Sequence, residues 1–215
     1  IQNIVTAGVS KIVGNDVTVR EVLTEIERDR VYYARSGGGG VTLSGGECLW
    51  QPDFSEALLR ATKEKGISTA IETTGYAEMD TIRRLLPHVD TVLMDIKHMN
   101  SAKHKEFTGV PNELILENAK KIAESGMTDL VIRVPVIPGF NDRRDEIEAI
   151  ARFAGSLKGV KKMHLLPYHR LGQDKYEGLG REYLMKGMGP IPNEHMQMLV
   201  ETAKRASGID CQLGG

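Results

Sequence analysis

Glu72, Asp95, Lys97, Arg133 and His169 stand near the ends of short apolar runs, "TAIETTG", "VLMDIK", "VIRVP" and "LLPYH". In an extended chain, side chains two apart share a face. Ala70 then shares one with Glu72, Leu93 with Asp95 and Lys97, Val131 with Arg133 and Pro135, and Leu165 with Pro167 and His169. Each run starts apolar and ends ionisable. Glu47 follows a further run, "VTLSGGE", directly after its glycines. Groups of both signs on one rim have a definite chemistry: Glu72 and Asp95 suit a cation or a ligand amine, and Lys97 and Arg133 suit a carboxylate. A zwitterionic amino acid would use both. Internal ion pairing at a barrel mouth is the plainer reading of any single residue, but the group together favours a ligand.

The stretch "SGGGGVTLSGGECLWQ" puts glycines on both sides of the first run. Glycine there permits positive φ and close backbone approach, so "SGGE" would present backbone groups and Glu47 to a ligand. Phosphate is the weaker reading, because neither the lysine–serine pair of a P-loop nor GxGxxG with its helix follows. Lys97 at a strand end also suits a Schiff base, which would make the chain a barrel lyase or aldolase. The remaining histidines, His88, His98, His104, His164 and His195, lack ligand spacing and read as packing or surface residues.

Helices and strands must alternate to position these groups. A helix is expected over 17–33, with Thr18 as N-cap and Glu21 three residues on. Strand 41–44 comes next, then a helix from Asp53 to Gly66, strand 67–75, and a short helix stopped by Pro87. Strand 89–98, helices 101–107 and 112–125 and the strand from Asp129 follow. Asn141 or Asp142 is read as capping helix 142–157. Strand 161–169, a long polar loop over 170–190, a helix over 193–207 and a strand "IDCQL" complete the chain. Alternation of this kind implies right-handed βαβ units and a parallel sheet, whose ligands bind at the carboxyl ends of the strands in barrels and open sheets alike.

The 215 residues suffice for one full core, and a formal net charge of −1 without a basic block removes the electrostatic case for nucleic acid. No apolar run approaches the roughly 18–20 residues of a membrane span. "IQNIVTAGVS" lacks signal-peptide features, so a cytoplasmic location is expected. The two cysteines, Cys48 and Cys211, supply neither a disulfide framework nor an all-cysteine metal site.

In order and spacing, "VTLSGGE", "IETTGY", "LMDIKHMNSAKHKEFTGV", "VIRVPVIPGFND" and "LLPYHRLGQDKYEGLG" resemble the activating enzymes of glycyl radical enzymes. These are members of the radical S-adenosylmethionine superfamily, and the resemblance runs from 17 to 213. It implies a partial (β/α)6 barrel of parallel strands. It also implies a [4Fe–4S] cluster on a CxxxCxxC loop, reduced by flavodoxin or ferredoxin, that cleaves S-adenosylmethionine so that a glycyl radical is installed on a partner enzyme. On matching positions, Ser44, Gly45, Gly46 and Glu47 would meet the methionine amine. Lys97 and Arg133 would contact the carboxylate or ribose, and His169 would line the adenosine pocket. Glu72, Thr73 and Asp95 would stand beside a monovalent cation.

Two departures accompany the resemblance. The usual GGEP is "GGEC", with Cys48 expected as a small buried thiol, and CxxxCxxC is absent. Residues 1–16 are therefore expected to be the remnant of an upstream ferredoxin-like insert or linker. Residues 17–215 would form the barrel, lacking its first strand and unable to hold the cluster or do radical chemistry alone. The alternative is a non-catalytic partner-binding module of the same fold. The loop 170–190 is the expected contact for the glycine-bearing partner segment.

Overall fold

The computed structural model describes residues 2–6, 9–35, 38–169, 187 and 189–214. Gln2–Thr6 (β1) and Val9–Val13 (β2) pair antiparallel as a two-stranded sheet of their own, although the sequence reading gives residues 1–16 no element. Val19–Arg28 (α1) begins with the expected capping box: the Glu21 N–H donates to the Thr18 side chain, and the Thr18 N–H donates to the Glu21 carboxylate at 2.7 Å. The single helix expected over 17–33 breaks at Asp29, and Arg30–Arg35 (α2) follows. Ile26 is the last buried side chain of α1, and "ERDR" offers nothing apolar to hold the next turn against the core.

The remaining elements alternate. They are Gly40–Leu43 (β3), Pro52–Glu64 (α3), Ser68–Thr73 (β4), Met79–Leu85 (α4), Thr91–Asp95 (β5), Ser101–Thr108 (α5), Glu113–Ser125 (α6), Asp129–Val136 (β6), Arg144–Ser156 (α7), Lys162–Pro167 (β7), Asn193–Ser207 (α8) and Asp210–Leu213 (β8). The six strands from β3 to β8 are all parallel and lie side by side in chain order. A doubly wound sheet reverses its strand order at a switch point, whereas unbroken order keeps winding one way with every helix outside. The architecture is the partial barrel.

Alternation separates the two faces of each strand. Ile71, Val92, Met94, Ile132, Val134, Met163 and Leu165 are buried against the helices, where α7 and α8 supply Ile147, Ile150, Leu199 and Ala203. Ala70, Glu72, Leu93, Asp95 and Arg133 take the other, concave face, as the spacing requires. Strand β7 corrects the reading made from "LLPYH". Leu165 is fully buried opposite Val134, on the helix side, so His164, opposite Arg133, holds the concave position. The strand ends at Pro167, and parity carried on to His169 no longer decides a face.

Asn141 and Asp142 do not cap α7. Arg143 is its N-cap residue and Glu146 closes the turn, because both earlier side chains are engaged in the preceding loop. Asp142 accepts from the Gly139 N–H at 2.9 Å. Most of the loop 170–190 lies outside the described residues.

Candidate functional site

Five side chains from four adjacent strand ends form one hydrogen-bonded line. Ser44, just past β3, donates through Oγ to Glu72 Oε2 at 2.5 Å. The other Glu72 oxygen, Oε1, receives Arg133 Nη1 at 2.6 Å. Arg133 Nε and Nη2 each donate to Asp95 Oδ1 at 3.0 Å, and Asp95 Oδ2 accepts from Lys97 Nζ at 3.2 Å. Strand register brings the acids and the base together, since Asp95 lies opposite Arg133 and Glu72 is on the next strand.

These groups are sheltered without being sealed: side-chain exposure is 13% for Arg133, 16% for Asp95 and 31% for Glu72. Burial pushes the Glu72 carboxyl up, but the hydrogen bonds of Ser44 and Arg133 and the guanidinium charge outweigh it and hold the pKa below the ordinary value. Burial likewise opposes the Arg133 charge, and Asp95 and Glu72 together more than restore it. Two carboxylates, one guanidinium and one ammonium sum to zero charge, with the signs alternating along the line. A zwitterion can exchange into that line without leaving an unmatched charge.

Glu47, expected to face the ligand, has both carboxylate oxygens engaged within the chain. Its Oε1 accepts from Thr73 Oγ1 at 2.7 Å and the Leu49 N–H at 3.3 Å. Its Oε2 accepts from the Thr74 N–H at 2.9 Å and Thr74 Oγ1 at 2.7 Å. Both oxygens are thus engaged in capping the short 3₁₀ turn Cys48–Trp50 and fastening the turn after β4 to it. Thr73 is buried, and its hydroxyl serves Glu47 and the Gly75 N–H on the face opposite Glu72. The structure therefore brings Glu72 and Asp95 together on Arg133, and leaves the Thr73 side chain apart from them.

The glycines before and after β3 do separate work. A Cβ at Gly40 would lie 2.1 Å from the Ser68 carbonyl oxygen, so only glycine lets β3 approach β4 this closely. Gly45 has φ +108°, and a Cβ on either Gly45 or Gly46 would meet nothing within 4 Å, so the rim backbone is open to a ligand. An open pocket of about 350 Å³ borders it, lined by Ser44, Gly46, Glu47, Trp50 and Phe54 among others. Trp50, the only tryptophan, is 85% exposed there. Sequence reading missed it; the available signal was a lone tryptophan three residues past Glu47, inside a turn.

Cys48 is partly buried, and its thiol donates weakly to the Glu72 carbonyl at 3.5 Å. Burial, with the Glu47 carboxylate adjacent, pushes its pKa up to about 12. His169 is exposed, two residues past the end of β7. Lys97 shares Asp95 with Arg133 and so lacks the isolated apolar setting that activates a Schiff-base lysine. His98 and His104 are packing residues, 5% and 3% exposed. His98 Nδ1 accepts the Asn100 N–H at 2.9 Å, which leaves Nε2 to donate to Glu146 at 3.3 Å. Among the described residues no helix is long and apolar enough to cross a membrane, and no cluster of three His, Cys, Asp or Glu side chains could hold a metal.

Comparison with known proteins agrees with this fold. Residues 9–154 match the model of the radical SAM superfamily. Over 175 residues the chain is 50% identical to the isethionate sulfite-lyase activating enzyme of Desulfovibrio desulfuricans, covering 81% of this chain and 55% of that protein. Over 179 residues it is 45% identical to the choline trimethylamine-lyase activating enzyme of Oleidesulfovibrio alaskensis, covering 82% and 57%. The chain thus spans little more than half the length of these curated relatives. A solved domain of the pyruvate-formate lyase-activating enzyme from Bacteroides vulgatus superposes with a TM-score of 0.69 at 32% identity, covering 83% of this chain and all of that one. On its sheet and these matches, the chain belongs to the radical SAM superfamily.

Proposed function

We propose that the chain is the S-adenosylmethionine-binding body of a glycyl radical enzyme activating enzyme. The observation that carries this is the zero-sum line Ser44–Glu72–Arg133–Asp95–Lys97, built at the carboxyl ends of adjacent parallel strands. Its donors fit the ligand. Arg133 and Lys97 can turn from Asp95 and Glu72 to the methionine carboxylate, and Ser44 and the open backbone at Gly45 and Gly46 can meet the ammonium group. Glu47 supports these contacts by holding the turn beneath them. His169 and the end of β7 border the side on which the adenosine would lie. A monovalent cation beside Glu72, Asp95 and Thr73 would have to replace the Arg133 guanidinium and use a backbone oxygen of Thr73, because its hydroxyl faces away.

In such enzymes a reduced [4Fe–4S] cluster supplies the electron that breaks the sulfonium bond. Cys48 and Cys211 do not fit that group, being two thiols where three are needed, one of them raised to about 12 by burial. On this reading the cluster's thiolate ligands would have to be supplied by residues other than these two cysteines. The chain's own part is to bind, orient and shelter the substrate. The partner is a glycyl radical enzyme and the reductant flavodoxin or ferredoxin. The location is cytoplasmic, with no nucleic acid or membrane involved. The division into residues 1–16 as linker or insert remnant and 17–215 as barrel is part of this reading. The shortage of cysteines also favours a second reading, a non-catalytic module that binds the same partner.

Calorimetric titration with S-adenosylmethionine and with its decarboxylated analogue tests the first reading. Binding of the former, and loss of affinity for the latter, supports a carboxylate on Arg133 and Lys97. Equal affinity for both would refute that assignment, and no binding of either would favour the second reading.

A further inference from the structure

Pro135 has no N–H, so the backbone pairing between β5 and β6 runs out where the rim begins; its last step is the Ile96 N–H donating to the Arg133 carbonyl at 2.9 Å. Beyond that step a side chain takes over. Asn141 is fully buried, and its Nδ2 donates to the Lys97 carbonyl at 2.7 Å and the Pro135 carbonyl at 2.9 Å. Its Oδ1 accepts the Ile137 N–H at 2.7 Å. One amide thus ties together the two chain segments that carry Lys97 and Asp95 on one side and Arg133 on the other. Buried asparagines brace the neighbouring loops in the same way. Asn112 donates to the His98 and Met99 carbonyls, and Asn118 to those of Gly75 and Ala77.

We propose that Asn141 is a positioning residue for substrate binding: it sets the separation of the β5 and β6 ends, and through it the reach of Lys97 and Arg133 toward the ligand carboxylate. This rests on the function proposed above. The chemistry calls for an amide. It offers two donors from one nitrogen and an acceptor beside it, whereas serine offers one donor and an ionised aspartate offers none. Without the brace, two partly buried carbonyls lose their donor and the strand ends are free to part.

The test uses the whole chain with three variants, Asn141→Ser, Asn141→Gln and, as a control for lost stability alone, Leu199→Ala in the α7–α8 packing. Each is first melted, then titrated with S-adenosylmethionine at a temperature where it is fully folded, and its hydrogen exchange is followed over residues 95–99 and 133–137. The expected result is a loss of about tenfold or more in affinity (about 1.4 kcal/mol) for Asn141→Ser, with exchange accelerated in those two segments, and wild-type affinity for the control. Asn141→Gln keeps the amide but displaces it, so it gives an intermediate loss, and it serves in place of the serine variant if that one does not fold. Affinity within about twofold of wild type for a folded Asn141 variant overturns the proposal. If the wild-type chain itself does not bind, the proposed function fails, and exchange alone then decides the brace: unchanged rates over the two segments overturn it.

Discussion

Replacing Glu47 by glutamine separates a brace from a ligand contact. The change preserves shape and removes one acceptor oxygen. Each oxygen of Glu47 faces one backbone N–H, Leu49 on Oε1 and Thr74 on Oε2, and one threonine hydroxyl on the same side. The hydroxyls can rotate to accept, but a backbone N–H cannot. Whichever way the glutamine amide turns, its NH₂ therefore opposes a backbone donor. The loss is one charge-assisted hydrogen bond together with a poorly satisfied N–H, about 2–3 kcal/mol. For a chain of this size that corresponds to a fall in Tm of about 5–10 °C. Thermal melts by circular dichroism measure it, and calorimetry on the folded variant measures S-adenosylmethionine affinity. The reasoning predicts a clear loss of Tm with a smaller loss of affinity. An unchanged Tm with abolished binding would refute it and return Glu47 to the ligand.

Other outcomes follow from the same geometry. The Glu72 pKa is lowered by its partners, so its contribution to stability is present above the ordinary 4.5 and is lost as pH falls through the lower folded value. Glu72→Gln should flatten the acid limb of Tm against pH, and a limb identical to wild type would count against the Arg133 pairing. The Cys48 thiol, pushed up to about 12, contributes stability that is full below its ordinary 9.0 and declines as pH rises toward 12. Iodoacetamide labelling read by mass spectrometry should therefore be much slower at Cys48 in the folded chain at pH 8 than in urea, and equal rates would contradict the buried placement. Gly40→Ala drives a Cβ to 2.1 Å from the Ser68 carbonyl oxygen and should cost about 1–3 kcal/mol with selective loss of exchange protection in β3. Wild-type stability would show that β3 does not pack as described.

Much of this was legible in the sequence because strand parity is a strong constraint where one face is buried. Glu72, Asp95 and Arg133 fall on the concave face as their spacing requires, and Thr18 with Glu21 caps α1 as the capping pattern requires. Parity failed at His169 because the strand ends at Pro167, and no rule of alternation applies beyond the last paired residue. The bracing contacts of Glu47 are not legible in the sequence because its partners, Thr73 and Thr74, lie on another strand end, and tertiary hydrogen bonds leave no periodic trace. Asn141 looked like a helix cap for the same reason: locally it precedes a helix, while the carbonyls it serves lie 44 and six residues away.

The most direct test of the central claim is calorimetric titration of the chain with S-adenosylmethionine, with and without potassium, for the wild type and for Asp95→Ala and Arg133→Met. The account predicts weak but saturable binding by the wild type, reduced about tenfold or more in either variant. Absence of binding by the wild type at high ligand concentration, or affinity unchanged by both substitutions, would contradict it.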